Sequence, residues 1–176
     1  MTIDKHQTIS CIDIETTGLN RTVDRIIQLS VTNFQLNEQN EPVILESKNW
    51  YILPSGYWTI TPDAYYIHNI SEDFIRENGV SIKSIYDDFM KTIQNHPILT
   101  YNGATFDISF IQREFEREML ETGFQDHQYI DSYDIEKKLN SNKLTDVYRR
   151  YYGEDFEFTT FEFQYIIIVY IYKTFW

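Results

Sequence analysis

The chain has 176 residues, 42% of them apolar and 16% aromatic, enough to fill the core of one ordinary domain. Its formal net charge of −12 argues against a protein that grips nucleic acid by positive charge alone, and leaves open an enzyme that reaches phosphodiesters through metal ions. A lone cysteine, Cys11, excludes an internal disulfide and fits a reducing compartment.

Residues 8–14 predict a first strand, apolar at 9, 11, 12 and 14, in the manner of a largely buried central strand. Thr17-Gly18-Leu19-Asn20 breaks it. Residues 25–35 carry Ile26, Ile27, Leu29, Val31 and Phe34 and predict a second strand. A polar turn at 36–40 leads to a third strand over 46–53, which closes an antiparallel meander. Thr61-Pro62-Asp63 and Ser71-Glu72-Asp73 read as helix starts. Residues 81–95 predict an amphipathic helix with Ile82, Ile85, Phe89 and Ile93 on one face. A short buried strand follows over 97–101, then a long helix over 105–122 stopped by Gly123, then a fifth strand over 129–131. Short helices are expected over 135–139 and 144–152. A meander followed by strands alternating with helices predicts an α/β fold, a mixed sheet with helices on its faces.

The amino-terminal stretch MTIDKHQTIS lacks the apolar run of a signal peptide, and the longest apolar run, residues 165–172, is too short to span a bilayer. The expectation is a soluble, cytoplasmic protein with no membrane partner.

Asp13 and Glu15 stand one residue apart on the first strand, so alternation aims them to the same face. Asp107, in TYNGATFDISF, follows the fourth strand at the head of the long helix, where an anion is well tolerated. If strands one and four run parallel, the three carboxylates converge at one end of the sheet, where α/β proteins place their sites. Three converging carboxylates make a hard oxygen site suited to Mg²⁺ or Mn²⁺. Two such ions would clamp the attacking and leaving oxygens of a phosphodiester. Asp-x-Glu alone is more often a solvated strand face or a chance pair than a catalytic one; the longer string is more specific.

That string, DIETTGL, resembles the first motif of the DEDD-type (DnaQ-like) 3'–5' exonucleases, the family of polymerase proofreading subunits and related nucleases. YNGATFDISFI resembles the second motif of that family. ITPDAYYIHNIS, residues 60–71, and YIDSYDIEKKLNSNKLTDVYRRYYG, residues 129–153, are similar to the segments that precede its second and third motifs. The resemblance implies a ribonuclease H-like fold over about residues 7–155. It implies Asp13, Glu15 and Asp107 as catalytic metal ligands, with Asp13 bridging two ions. It further implies that the backbone around Thr16 and Thr17 holds the 3'-terminal hydroxyl and that Leu19 wedges against the terminal base. Asn102 and Phe106 would line the substrate groove, although Phe106 is also a natural helix-core residue. Tyr101 stands where the family often has His.

The family's third motif, a general-base His with an Asp five residues later, is absent. No Asp follows Asp155 and no His follows His127, which itself reads as a loop histidine. Glu157 and Glu162 share the spacing of five, but in strand-like sequence. The last 21 residues, 156–176, contain nine aromatics and no Gly, Pro, Ala or Leu. The division expected is an exonuclease-like domain over 1–155 and a divergent tail over 156–176, either a frame-shifted end or a variant one, with an aggregation-prone window at 165–172.

The function expected is a metal-dependent 3'–5' exonuclease on single-stranded or frayed DNA, with RNA open and a DNA polymerase as a possible partner. The alternatives are an inactive relative that binds 3' ends or a polymerase, and a truncated gene product.

Overall fold

A computed structural model describes residues 7–39, 41–103, 105–123 and 126–133. The boundary at 155, the helices expected at 135–139 and 144–152, and the tail, with Glu157 and Glu162, lie outside the described residues.

Three strands form the meander: β1 (Ile9–Thr16), β2 (Ile26–Leu36) and β3 (Pro42–Tyr51). Three helices follow: α1 (Pro62–His68), α2 (Glu72–Asn78) and α3 (Ile82–Ile93). Then come β4 (Ile98–Thr100), α4 (Asp107–Arg117) and β5 (Tyr129–Asp131). The sheet order is β3-β2-β1-β4-β5. β1 pairs antiparallel with β2 and parallel with β4, and β4 pairs parallel with β5. The carboxyl ends of β1, β4 and β5 therefore lie together at one end of the sheet, which meets the parallel β1–β4 condition set from the sequence and adds β5 to it.

Each of the first three helices begins on a hydroxyl cap. Thr61, Ser71 and Ser81 accept the N–H groups of Ala64, Phe74 and Ser84 at 3.3, 3.1 and 3.2 Å. Such caps contribute about 1 kcal/mol each. On one face of the sheet, Ile12, Ile14, Leu29 and Val31 pack with Ile85, Phe89 and Ile93 of α3 and Ile111 and Phe115 of α4. Alternation sends Ile9 and Cys11 to the opposite face, where they cluster with Phe34, Leu99 and Ile130. Asp13 and Glu15 continue that second row toward the carboxyl end. Cys11 is a free, buried thiol, and burial pushes its pKa up. Among the described residues no helix is long and apolar enough to cross a membrane.

Several boundaries differ from expectation. β1 continues two residues past Ile14, through Glu15 and Thr16, because these residues still pair with Gln28 and Ile26. β3 begins at Pro42 rather than 46. It is an edge strand whose Val43, Ile44 and Leu45 are exposed, so backbone pairing rather than apolar alternation defines it. α4 covers Asp107–Arg117, not 105–122. Its chain is turned by Met119 at φ 57°, with Leu120 N–H donating to Phe115 O at 2.9 Å and Met119 N–H to Glu116 O at 3.1 Å. This is a Schellman cap built on a methionine. It returns Leu120 to the core, and Gly123 is not the stop.

Candidate active site

A cavity of about 220 Å³ opens at the carboxyl end of β1 and β4. Asp13, Glu15, Thr16 and Leu19 enter it from β1 and the turn that follows, and Tyr101, Asn102, Phe106 and Asp107 from the β4–α4 connection. Ala64, Ile67 and His68 of α1 close the third side. Seven of the eight predicted site residues thus border one space, and the exception is Thr17. Its N–H donates to Arg25 O at 2.9 Å and its carbonyl accepts Thr61 N–H at 2.8 Å. Its hydroxyl donates to Asp24 Oδ1 at 3.1 Å and accepts Arg25 N–H at 3.0 Å. Every polar group of Thr17 is spent inside the fold, on fastening the β1 end to α1 and to the start of β2.

The carboxylates repel one another. Asp107 Oδ1 accepts Ile14 N–H at 3.2 Å, which sets the helix-borne acid beside the strand-borne pair. Burial raises the pKa of Asp13 well above the carboxylate range, and the charges of Asp107 and Glu15 raise it further. Burial and the Asp107 charge push Glu15 up to about 7. Burial also lifts Asp107 to about 7, against the pull of two backbone N–H groups and with a push from Asp131. Among the described residues the Glu15 carboxylate makes no hydrogen bond or ion pair. Such a set is short of positive charge, and its donors are hard oxygens, the chemistry that Mg²⁺ or Mn²⁺ accepts. Among the described residues, however, no three His, Cys, Asp or Glu side chains gather closely enough to hold one ion. The sequence anticipates three carboxylates converging at one end of the sheet; the structure brings them to a shared cavity, with Asp107 bonded to the strand at Ile14 N–H.

The remaining lining divides by chemistry. Leu19 is 80% exposed at the rim, an unusual position for leucine. Phe106 serves both readings of its sequence position: it borders the cavity and its ring lies 4.8 Å from that of Phe110 in the core. Asn102 adopts φ 59°, and its N–H donates to Asp131 Oδ1 at 2.7 Å. Asp131 also accepts Tyr133 N–H at 3.0 Å, so this acid at the end of β5 holds the β4–α4 turn.

The sequence assigns no role to Asp131 or His68. Only position offered a signal: Asp131 ends a strand parallel to β4, and His68 ends the helix that faces β1. The His68 Nδ1 accepts Ile70 N–H at 2.9 Å, leaving Nε2 as the protonated nitrogen of the neutral ring. That Nε2 is buried without a hydrogen-bond partner among the described residues. Burial lowers the His68 pKa, and the nearby Thr16 backbone opposes the shift. His127 lies before the amino end of β5, away from the carboxylates, with Nδ1 2.9 Å from His96 O.

Comparison with known proteins gives the family and the fold. The exonuclease family model RNase_T matches residues 10–160. Ribonuclease T of Shewanella denitrificans is 25% identical over 117 residues, covering 62% of this chain and 52% of its own length. DNA polymerase III subunit epsilon of Rickettsia felis is 31% identical over 104 residues, covering 58% of this chain and 42% of its own length. The chain spans about half the length of the curated relatives it matches, or less. The crystal structure of E. coli exonuclease I in complex with a dT13 oligonucleotide matches with a TM-score of 0.77 and 18% identity, over 96% of this chain and 41% of that one. That likeness carries the fold, a ribonuclease H-like mixed sheet with flanking helices. By the family model's span, the chain belongs to the exonuclease family.

Proposed function

We propose that the chain is a metal-dependent 3'–5' exonuclease that removes nucleotides from single-stranded or frayed DNA ends. The observation that carries this reading is the joint placement of Asp13, Glu15 and Asp107 on one cavity with pKa values raised by burial and mutual repulsion. In this reading Asp13, Glu15 and Asp107 would be drawn together by, and would hold, Mg²⁺ or Mn²⁺. The bound ions would activate water and neutralise charge on the phosphodiester. Family membership and the names of the relatives support nucleic acid as the substrate.

The chain's own residues bind and orient. Asp107, fixed to Ile14 N–H, keeps its charge beside the β1 pair. The backbone at Thr16 receives the 3'-terminal hydroxyl, while Thr17 braces that strand end from within. Leu19 stacks against the terminal base from the rim, and Asn102 and Phe106 form the facing wall. We read residues 1–155 as the catalytic unit and 156–176 as a replaced end, a polymerase as a candidate partner, and the buried Cys11 thiol as suited to a cytoplasmic setting.

One observation favours a second reading. Residues 156–176 hold no His or Asp to serve as base and fourth acid, and a missing base costs about 10²–10⁴-fold in rate. A chain so deprived would bind 3' ends without cleaving them. A 5'-labelled single strand with Mn²⁺ tests both readings. A ladder of one-nucleotide steps that Asp13→Ala abolishes is the expected result. Binding without a ladder would replace the first reading with the second.

A further inference from the structure

Two more cavities continue the acidic one. Leu19 and Phe106 border both the first and a second, of about 510 Å³, which also takes in Arg21, Thr22 and Ser109. Arg21, Thr22 and Ser109 in turn border a third, of about 260 Å³, that ends at Arg113 and Glu116. A groove therefore runs from three carboxylates, over the Leu19–Phe106 ridge, to arginine.

The arginines of this chain are not equal. Arg25 and Arg117 pair with Glu114, Arg76 with Glu72, and Arg113 with Glu116. Among the described residues, Arg21 alone of the arginines has no carboxylate partner, and its guanidinium makes no hydrogen bond. Its backbone is nevertheless firmly held. The Arg117 guanidinium donates to the carbonyls of Arg21, Thr22 and Asp24 at 3.0, 2.8 and 2.9 Å. Arg117 is itself anchored on the fully buried Glu114 at 2.9 Å, which also receives Arg25. The Asp24 carboxylate closes the turn by accepting Asn20 N–H at 2.8 Å. A rigid turn thus presents an uncompensated cation at the junction of the second and third cavities.

A polynucleotide carries a charge at every step, and this chain carries −12. A strand leaving the acidic cavity meets repulsion wherever no cation offsets it. We propose that Arg21 binds a phosphate of the single strand upstream of the 3'-terminal nucleotide, giving the protein a binding site several nucleotides long. The proposal rests on the acidic cavity receiving the 3' end.

Fluorescence anisotropy of 5'-labelled dT oligonucleotides, two to six residues long, tests it on the full chain without added metal, where no cleavage step is read. Affinity should rise with length and then level off. Arg21→Ala should weaken binding of the longer strands about 10-fold and flatten the dependence of log Kd on log salt by about 0.7, one phosphate on a single strand. Arg21→Lys should restore the slope. Lys91→Ala makes the same charge change outside the three cavities and should leave the slope alone. Equal effects of Arg21→Ala and Lys91→Ala, or affinity independent of length, would overturn the proposal. Failure of the exonuclease reading shows separately, as Arg21-dependent binding by a chain that releases no nucleotide when Mn²⁺ is added.

Discussion

Asp107 Oδ1 accepts the N–H of Ile14 at 3.2 Å, so the first residue of α4 is bonded to the residue that separates Asp13 from Glu15. The bond uses only an acceptor oxygen, which asparagine also has. Asp107→Asn should therefore fold normally while losing the charge needed at the cavity. Exonuclease activity should fall by about 10²-fold or more, the scale of losing one electrostatic stabiliser. Circular dichroism and the oligonucleotide ladder together check this; an unimpaired ladder would remove Asp107 from the machinery.

Stability should depend on pH through the same groups. Unfolded Glu15 and Asp107 give up their protons near the ordinary 4.5 and 3.8, but in the fold both do so near 7. Between those limits the folded chain holds more protons than the unfolded one, so stability falls as pH rises from about 4 to about 7 and levels above. Glu15→Gln removes one such group. The variant and the parent should have similar urea midpoints near pH 4, and the variant should be about 1–2 kcal/mol more stable above pH 7 in metal-free buffer. A constant difference across the range would contradict the raised pKa.

Gly103 allows Asp107 its place. A Cβ there would lie 2.6 Å from Asp107 Oδ2 and 2.6 Å from the Thr100 Cβ, and the latter cannot swing aside. Gly103→Ala should cost about 1–3 kcal/mol, as overpacking does, and should reduce activity by displacing the carboxylate. Thermal denaturation beside the ladder reads both effects; unchanged stability would mean that the turn has more room than the structure shows.

The parts of this molecule that were legible in the sequence are those governed by local periodicity. Alternation gave Asp13 and Glu15 a common face, and the strand-to-helix step put Asp107 at the same end of the sheet. What stayed hidden depended on long-range or non-standard chemistry. Thr17 is consumed by Arg25 and Thr61, partners 8 and 44 positions away, and nothing in the string TTGL announces that. The hold of Arg117 on the Arg21 turn joins residues 96 apart. The end of α4 escapes sequence periodicity because a methionine occupies the left-handed position that glycine usually takes, and the edge strand β3 looks short in sequence because its first side chains bury nothing.

That methionine supplies an independent check. Met119 sits at φ 57° and is 89% exposed, so it bears the left-handed strain while contributing little packing. Met119→Gly should stabilise the protein by about 1 kcal/mol without altering activity. Urea denaturation measures it. Destabilisation would mean that the helix does not end in the cap described here.

The central claim is that divalent ions, by drawing Asp13, Glu15 and Asp107 together, support removal of 3' nucleotides, and it is tested most directly by reading Mn²⁺ binding and cleavage on the same protein. Mn²⁺ should raise the melting temperature above pH 7, where the carboxylates are charged, by an amount equivalent to about 2.7 kcal/mol at 100 times its Kd. A one-nucleotide ladder should appear over the same Mn²⁺ range, and Asp13→Ala should abolish both responses. A melting temperature indifferent to Mn²⁺, or a ladder that survives Asp13→Ala, would contradict the account.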